Sequence, residues 1–153
     1  MQPLAALEGE WVGQGRGFYP TIQPFQYTEA IHFTQVGKPF FAYGQRTAEA
    51  ESKRPLHAES GYLRAAGGAV ELVLAQPTGV CEVDVGAVLE GNKGFEVSSS
   101  SLTRTPSAKA PHVTQLVRRF ELVDANTLKI TFSMATTNTP MSPHLESILH
   151  RKQ

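Results

Sequence analysis

Short segments of alternating apolar and polar residues are the feature that most constrains the fold of this chain. In the clearest segment, Leu128, Ile130 and Phe132 alternate with Lys129 and Thr131. Because successive side chains of a β-strand point to opposite faces, this period of two residues predicts a strand with one buried face. The same pattern predicts ten strands, near residues 10–18, 26–36, 40–48, 56–65, 69–76, 79–89, 93–102, 113–123, 127–136 and 145–151. One short helical turn is predicted at residues 3–8.

Turn-forming residues separate these segments. Gly67-Gly68 and Gly91-Asn92 stand between consecutive strands, and glycine and asparagine accept the positive φ angles that tight hairpins require. Hairpin-linked strands leave two unpaired edges unless the sheet closes on itself. The sequence therefore predicts an all-β fold: a ten-stranded antiparallel up-and-down β-barrel, lipocalin-like, formed by residues 1–153 as a single domain. A barrel of this size has room for a small-molecule pocket.

The charge balance argues against two classes of partner. The chain has 153 residues, with 14 lysines and arginines against 14 aspartates and glutamates. A neutral chain without a basic run lacks the charge that attracts nucleic acids and anionic membranes, so neither is expected as a partner. The basic pairs Lys53-Arg54 and Arg118-Arg119 are interpreted as solvated surface.

Cysteine content and the N-terminus bear on the compartment. Cys81 is the single cysteine, so no internal disulfide can form and an oxidising compartment is not required. It shares a strand face with Val83 and Val85, where we expect a small buried hydrophobe and not a thiolate ligand. The N-terminus lacks the basic start and apolar run of a signal peptide. These observations predict an intracellular protein.

The first predicted strand begins with the pattern GxWxGxG, formed by Gly9, Trp11, Gly13 and Gly15. The indole of Trp11 is large enough to plug the closed end of a barrel. Glycines at alternate positions leave one face of the strand without side chains, so another group can approach the backbone. A glycine-rich bent strand with a packed tryptophan is the simpler interpretation, and a bare GxW also opens the lipocalins.

Five histidines are the candidates for a metal or cofactor ligand. His144 follows Pro143 at the start of the last predicted strand, behind an uncharged loop. A neutral imidazole directed into an apolar cavity has the properties of a proximal haem ligand, although a lone histidine is more often a surface or hydrogen-bonded core residue. His57 is expected in a polar network, and surface positions are expected for His32, His112 and His150. Zinc, P-loop, GxSxG and dinucleotide motifs are absent.

Several motifs together resemble the nitrobindin family in order and spacing, from about residue 4 to residue 152. Besides GxWxGxG, they are Tyr19-Pro20-Thr21-Ile22, Phe25-Gln26-Tyr27-x-Glu29, Gly37-Lys38-Pro39-Phe40, Pro55-Leu56-His57-x-Glu59-x-Gly61-Tyr62-x-Arg64, Met134-Ala135-Thr136-Thr137 and His144-Leu145. The resemblance implies a ten-stranded β-barrel that carries a ferric b-type haem. Some vertebrate members join this domain to a THAP-type zinc finger, for which this sequence has neither the cysteines nor a CxxC motif.

The same resemblance implies site residues and an activity. His144 occupies the position of the family's axial haem ligand, and Thr21 that of a threonine that contacts the haem. The family binds nitric oxide and isomerises peroxynitrite to nitrate, so this chain is expected to be a haem-dependent peroxynitrite isomerase. The expected location is the cytoplasm, with the nucleus as a second one, and an exposed apolar barrel wall would support a homodimer.

Two other function classes stay open on the residues themselves. A lipocalin-like intracellular carrier of a hydrophobic small molecule fits the barrel and the GxW opening equally well. An interaction domain with an empty barrel requires only the fold. The lone cysteine and the segment from Met134 to Leu145 favour the haem protein. Replacement of His144 by alanine separates these classes, because only the haem protein loses a ligand.

Overall fold

The structure, a computed structural model, describes residues 2–153 and consists almost entirely of β-strands. The strands are β1 Gly9–Tyr19, β2 Ile22–Gln35, β3 Phe40–Glu49, β4 Pro55–Ala66, β5 Ala69–Ala75, β6 Val80–Val88, β7 Gly94–Arg104, β8 Val113–Asp124, β9 Thr127–Thr136 and β10 Ser142–Arg151. A 3-10 turn at Gln2–Leu7 precedes β1, and another at Glu90–Asn92 joins β6 to β7. Each predicted strand and the predicted N-terminal turn has its counterpart here.

The strands form one closed antiparallel barrel. Each strand pairs with its neighbours in sequence, and β10 completes the barrel by pairing with β1. The predicted ten-stranded up-and-down barrel is therefore confirmed. The hairpin between β4 and β5 shows how the turns work. Gly67 and Gly68 have φ angles of 58° and 84°, and Ala66 pairs with Ala69. Two consecutive positive φ angles define the type I′ turn, whose twist matches that of the flanking strands.

One end of the barrel is closed by packed side chains. Trp11 is fully buried, and its Nε1 donates to the carbonyl oxygen of Leu7 at 2.9 Å, which ties the N-terminal turn to β1. The guanidinium of Arg151 lies 4.3 Å from the Trp11 ring centroid. Trp11 therefore plugs the barrel as predicted. The core behind it includes Leu4, Phe33, Phe41, Tyr43, Phe95 and Phe120.

The bare face of the glycine-rich strand β1 is covered by rings from β2. Gly15 pairs with Tyr27, and Gly17 pairs with Phe25. A Cβ atom at either glycine would overlap the facing aromatic ring. The alternate glycines thus allow two aromatic side chains to lie directly against the backbone of β1. Both rings contribute to the cavity described below.

The orientation of β6 is opposite to the one expected. Glu82 and Asp84 are buried inside the barrel, whereas Cys81, Val83 and Val85 lie on the exposed face. The prediction of a buried Cys81 is wrong for this reason. Alternation alone identifies the two faces of a strand but not which of them points inward. The buried carboxyl groups of β6 accompany an arginine inside the barrel, and that ion cluster sets the orientation.

Neither 3-10 turn of the described residues has the length and hydropathy needed to span a membrane.

Candidate functional site

A large cavity lies inside the barrel, away from the end that Trp11 plugs. Its volume is about 790 Å³, within the range of about 300–1,000 Å³ typical of small-molecule pockets. The lining includes apolar residues from several strands, among them Phe25, Leu116, Phe132, Met134 and Leu145. Ile31 of β2 does not reach this cavity and belongs to the core near Trp11.

His144 enters the cavity at a β-bulge of β10. Pro143 pairs with Ser133 and Leu145 pairs with Phe132, so His144 is an extra residue without a partner on β9. A bulge re-aims a side chain and disrupts the alternation of the strand. Both His144 and Leu145 consequently line the cavity. The last strand begins at Ser142, and His144 lies inside it instead of preceding it.

A second bulge supplies the hydrogen-bond partner of His144. Between β1 and β2 the register shifts at Gly17–Tyr19, so that Phe18 stands opposite two residues of β2, Gln23 and Pro24. The carbonyl oxygen of Phe18 lies 2.9 Å from Nδ1 of His144. A carbonyl can only accept, so Nδ1 carries the hydrogen and Nε2 retains a lone pair. This tautomer leaves Nε2 able to bind a metal ion.

The surroundings of His144 favour a neutral ring. Burial lowers the pKa of His144, and the charge of His57 acts in the same direction, while the hydrogen bond to Phe18 opposes them. The ring packs edge-on against Tyr19, at a centroid distance of 5.3 Å, and lies 5.9 Å from the ring of Phe132. Aromatic neighbours on two sides restrict rotation of the imidazole.

Thr21, the second predicted site residue, is exposed in the tight turn Pro20–Thr21 that joins β1 to β2. It does not belong to the cavity lining. The turn nevertheless adjoins the histidine site in space, because Tyr19, which packs against His144, pairs with Ile22 across it. Tyr19 packs against His144 and donates its hydroxyl hydrogen to the carbonyl of Met134 at 3.0 Å.

A buried arginine with three carboxyl groups adjoins the cavity. Arg118 is 6% exposed, and its Nη1 and Nη2 donate to the two oxygens of Glu59 at 2.8 and 3.2 Å. Its Nη2 also lies 2.5 Å from Glu82, and its Nε lies 3.3 Å from Asp84. The predicted surface position of Arg118 is therefore wrong. Only Arg119 of that pair faces outward, in exposed ion pairs.

The pKa values of the cluster move in opposite directions. Burial alone would raise the pKa of Glu59, but the charge of Arg118 and the hydrogen bonds from His57 and Arg118 hold it at about 2. Burial and repulsion by Glu82 raise the pKa of Asp84 to about 8, against the attraction of Arg118. At neutral pH the Glu59 carboxylate is therefore ionised, whereas Asp84 holds a proton.

The other histidines divide between the cavity and the surface. His57 lies 3.2 Å from Glu59 through its Nε2, which confirms the predicted polar network, and it also lines the cavity. His112 was expected at the surface but is half-buried and lines the cavity as well. The loop between β7 and β8 folds back over the cavity and carries His112 with it. His32 and His150 are exposed, as predicted.

Comparison with known proteins assigns this barrel to a family. The family model for the THAP4-like, heme-binding beta-barrel domain matches residues 1–151. The chain belongs to this family. A peroxynitrite isomerase 1 of Mycolicibacterium paratuberculosis is 47% identical over 153 residues, which cover 98% of this chain and 93% of the relative. A peroxynitrite isomerase 2 of Mycobacterium avium is 46% identical, with the same coverage of both chains.

A solved structure supports the same grouping. The crystal structure of Rv2717c from M. tuberculosis superposes with a TM-score of 0.89 at 40% sequence identity. The match covers 99% of this chain and 96% of the other. The THAP4-like haem-binding barrel is thus conserved between the two chains over nearly their whole length.

The donor set of the cavity fits the haem of a THAP4-like haem-binding barrel. Nε2 of His144 keeps its lone pair because the hydrogen lies on Nδ1, which Phe18 holds. Apolar side chains such as Leu116 and Met134 suit the faces of a porphyrin. Arg104 and Lys109 also belong to the lining, and cationic groups suit its carboxylates.

The barrel wall is incomplete beside this cavity. β7 and β8 pair only from Gly94 to Ser98, although β7 continues to Arg104. Beyond Ser98 the two strands are joined by side chains. Ser99 Oγ accepts from the backbone N–H of Leu116 at 2.9 Å, and the Arg104 guanidinium donates to the carbonyl of Val113. The unpaired strand ends and the loop at residues 105–112 form one side of the cavity.

Two parts of this THAP4-like site were missed from sequence. The partner of His144 at Phe18 is a backbone carbonyl, which side-chain patterns in the sequence do not reveal. It is free to accept this hydrogen bond because the strand register is irregular there. The buried position of Arg118 is indicated by the alternation of its strand. Arg118 shares strand parity with Leu116 and Phe120, both buried, so the pattern of β8 already placed it inside the barrel.

Proposed function

We propose that this protein binds ferric haem b through His144 and isomerises peroxynitrite to nitrate. It rests on one observation above all: His144 enters an interior cavity with its Nδ1 held by the Phe18 carbonyl, which leaves Nε2 for iron. Membership of a haem-binding barrel family and the names of relatives at 46–47% identity support the same function.

The residues of this chain would position the cofactor, orient its ligand and enclose the substrate. His144 would hold the iron, and the carbonyl of Phe18 fixes the direction of the imidazole, in the way that groups behind a metal ligand commonly do. The apolar wall excludes water and confines the reacting fragments. A ferric haem supplies the iron at which the peroxide bond of peroxynitrite is broken, so most of the chemistry belongs to the cofactor.

Several narrower assignments belong to the same proposal. The iron held by His144 would also bind nitric oxide. Thr21 would contact the haem edge, because its turn adjoins Tyr19 and Tyr19 packs on His144. We place the protein in the cytoplasm, with the nucleus as a second location, and consider a homodimer through an exposed barrel wall.

Titration with ferric haem tests this function. The wild-type protein is expected to develop a sharp Soret band that saturates at one haem per chain. His144→Ala should lose or shift that band, whereas His150→Ala, a replacement in the same strand at an exposed position, should bind as the wild type does. Peroxynitrite decay and nitrate yield are then measured on the loaded proteins.

Other results would change the assignment. A wild-type protein without a saturable Soret band would favour the carrier of an apolar molecule. An unchanged spectrum in His144→Ala would remove the proposed ligand. Haem binding without acceleration of nitrate formation would leave a haem protein that is not an isomerase.

A further inference from the structure

A second histidine faces the same cavity from the other side of the barrel. His57 lies on β4, and His144 on β10. Around the closed sheet, three strands separate β4 from β10 in one direction and five in the other. Both imidazoles line the one cavity. We propose that His57, held by Glu59, is the polar contact for a small molecule bound to the iron opposite His144.

The orientation of His57 is fixed by a chain of buried groups. Its Nε2 lies 3.2 Å from Glu59 Oε2. The other oxygen of Glu59 accepts from Arg118 at 2.8 Å and from the hydroxyl of Tyr43 at 2.9 Å. A carboxylate with this many donors cannot turn away to follow a mobile imidazole. Glu59 therefore acts as a positioning residue for His57.

The second nitrogen of the His57 ring is left for the cavity. Because Glu59 is ionised, it can only accept a hydrogen bond, so Nε2 of His57 donates to it and Nδ1 is left without a protein partner among the described residues. The side chain of His57 is 32% exposed, whereas that of Glu59 is 1% exposed, so the histidine is the end of the network that a bound molecule can reach. Nδ1 adjoins Cβ, and the crowding there suits a hydrogen bond better than direct ligation of iron.

Several other polar groups of the cavity are already paired. Gln45 donates to Glu29 at 2.6 Å, and Gln76 donates to Glu82 at 2.9 Å. His112 interacts with the carbonyl of Ala108 within its own loop. His57 combines a fixed ring, a free nitrogen and access to the cavity.

This inference rests on the proposed function, because it requires haem at His144. It goes further by assigning a residue to the opposite face of the haem and a role to the buried ion cluster. The cluster would hold His57 at a fixed point, so that an iron-bound nitric oxide or peroxynitrite meets a polar group there and apolar walls elsewhere.

The test measures the C–O stretching frequency of the ferrous carbon monoxide complex, which responds to polar groups near the bound ligand. The variants are His57→Leu and, as a matched control, His112→Leu, each loaded with haem. We expect a shift in His57→Leu and none in the control. A rise would show that Nδ1 donates to the ligand, and a fall that it accepts. The dissociation rate of nitric oxide should change by about tenfold, as for loss of one hydrogen bond.

Glu59→Gln separates positioning from contact. It keeps His57 but weakens its anchor, so the C–O band should broaden or shift part of the way toward that of His57→Leu. An identical band in wild type and His57→Leu would overturn the inference while leaving haem binding intact. A low-spin spectrum of two histidine ligands in wild type, lost in His57→Leu, would overturn it by making His57 an iron ligand. Absence of a His144-dependent Soret band would overturn both proposals.

Discussion

The Nδ1 atom of His144 lies 2.9 Å from the carbonyl oxygen of Phe18, and both residues lie at irregularities of strand register. His144 is the extra residue of β10 opposite β9, whereas Phe18 of β1 stands opposite two residues of β2, Gln23 and Pro24. Both irregularities lie just beyond the last β1–β10 pair, Gly17 with Leu145. One bulge turns the imidazole inward and the other makes a carbonyl available outside the regular register. The site therefore depends on backbone irregularity at two points as much as on the histidine itself.

The Phe18 hydrogen bond predicts a difference between two replacement ligands. In His144→Gly, added imidazole is expected to restore the Soret band, because it binds iron through one nitrogen and donates to the Phe18 carbonyl through the other. 1-Methylimidazole binds iron but has no N–H to donate. It should bind about fivefold more weakly, as expected for a lost hydrogen bond of about 1 kcal/mol. The measurement is a spectral titration of the haem-loaded variant.

Free haem in the same buffer supplies the reference for this comparison, since it reports the intrinsic difference between the two imidazoles. Equal affinity ratios in the protein and in solution would show that Phe18 contributes nothing to ligation.

The ion cluster predicts unequal effects for two neighbouring arginines. Arg118→Met leaves the carboxylate of Glu59 buried without its main partner, and breaking such a pair costs about 3–5 kcal/mol. Arg119→Met removes only exposed ion pairs, each worth less than about 1 kcal/mol. Urea unfolding at matched haem content measures both. Equal losses of unfolding free energy would show that Arg118 is not held as the structure places it.

The raised pKa of Asp84 predicts a dependence of stability on pH. Between its ordinary pKa of 3.8 and its folded pKa of about 8, the unfolded chain has released this proton while the folded chain retains it. The unfolded state then binds fewer protons, so this group lowers the free energy of unfolding as pH rises through that interval. Asp84→Asn, which stays neutral, should remove this slope and be the more stable protein at pH 8.

Thermal or urea unfolding at pH 5 and pH 8 tests this statement, with Asp124→Asn as the control. Asp124 is an exposed turn residue, and hydrogen bonds from Asn126 and Thr127 lower its pKa instead of raising it. If the stability of Asp84→Asn depends on pH as that of the wild type does, the proton that the folded protein retains belongs to another group of the cluster.

The fold was predictable from sequence because strand alternation, turn residues and edge closure all point to one architecture. The boundaries of β9 show this, as residues 127–136 were predicted and found. The inward face of β6 was not predictable from its own pattern. Apolar residues such as Val83 alternate with acidic residues such as Glu82, and this alternation does not say which set points into the barrel. That choice depends on Arg118, which is distant in sequence. Acidic residues can point inward only where another strand supplies a buried partner of opposite charge, and the pattern of a single strand does not contain that information.

The site was predictable only in part, for a related reason. A position after Pro143 and a family motif pointed to His144, and the cavity confirms that it faces the interior. The Phe18 carbonyl meets His144 because β1 pairs with β10 in the closed barrel, and His57 shares the cavity with His144 only after the barrel has closed. His112 was misplaced because its loop folds over the cavity, which its own sequence does not indicate.

The open seam between β7 and β8 predicts a weak point in the barrel wall. Ser99 accepts the N–H of buried Leu116 through its hydroxyl, where a regular ladder would supply a backbone carbonyl. Ser99→Ala leaves that donor unpaired, at a cost of about 1–3 kcal/mol. Amide exchange at Leu116 should therefore accelerate roughly tenfold or more, and haem should leave the loaded protein faster. Ser100→Ala is the matched control, because Ser100 bonds across the other edge of β7 to Val83. If both variants exchange and release haem at the same rate, the seam does not control access to the cavity. If Ser99→Ala alone accelerates both processes, the unpaired ends of β7 and β8 are the route through which the cofactor passes.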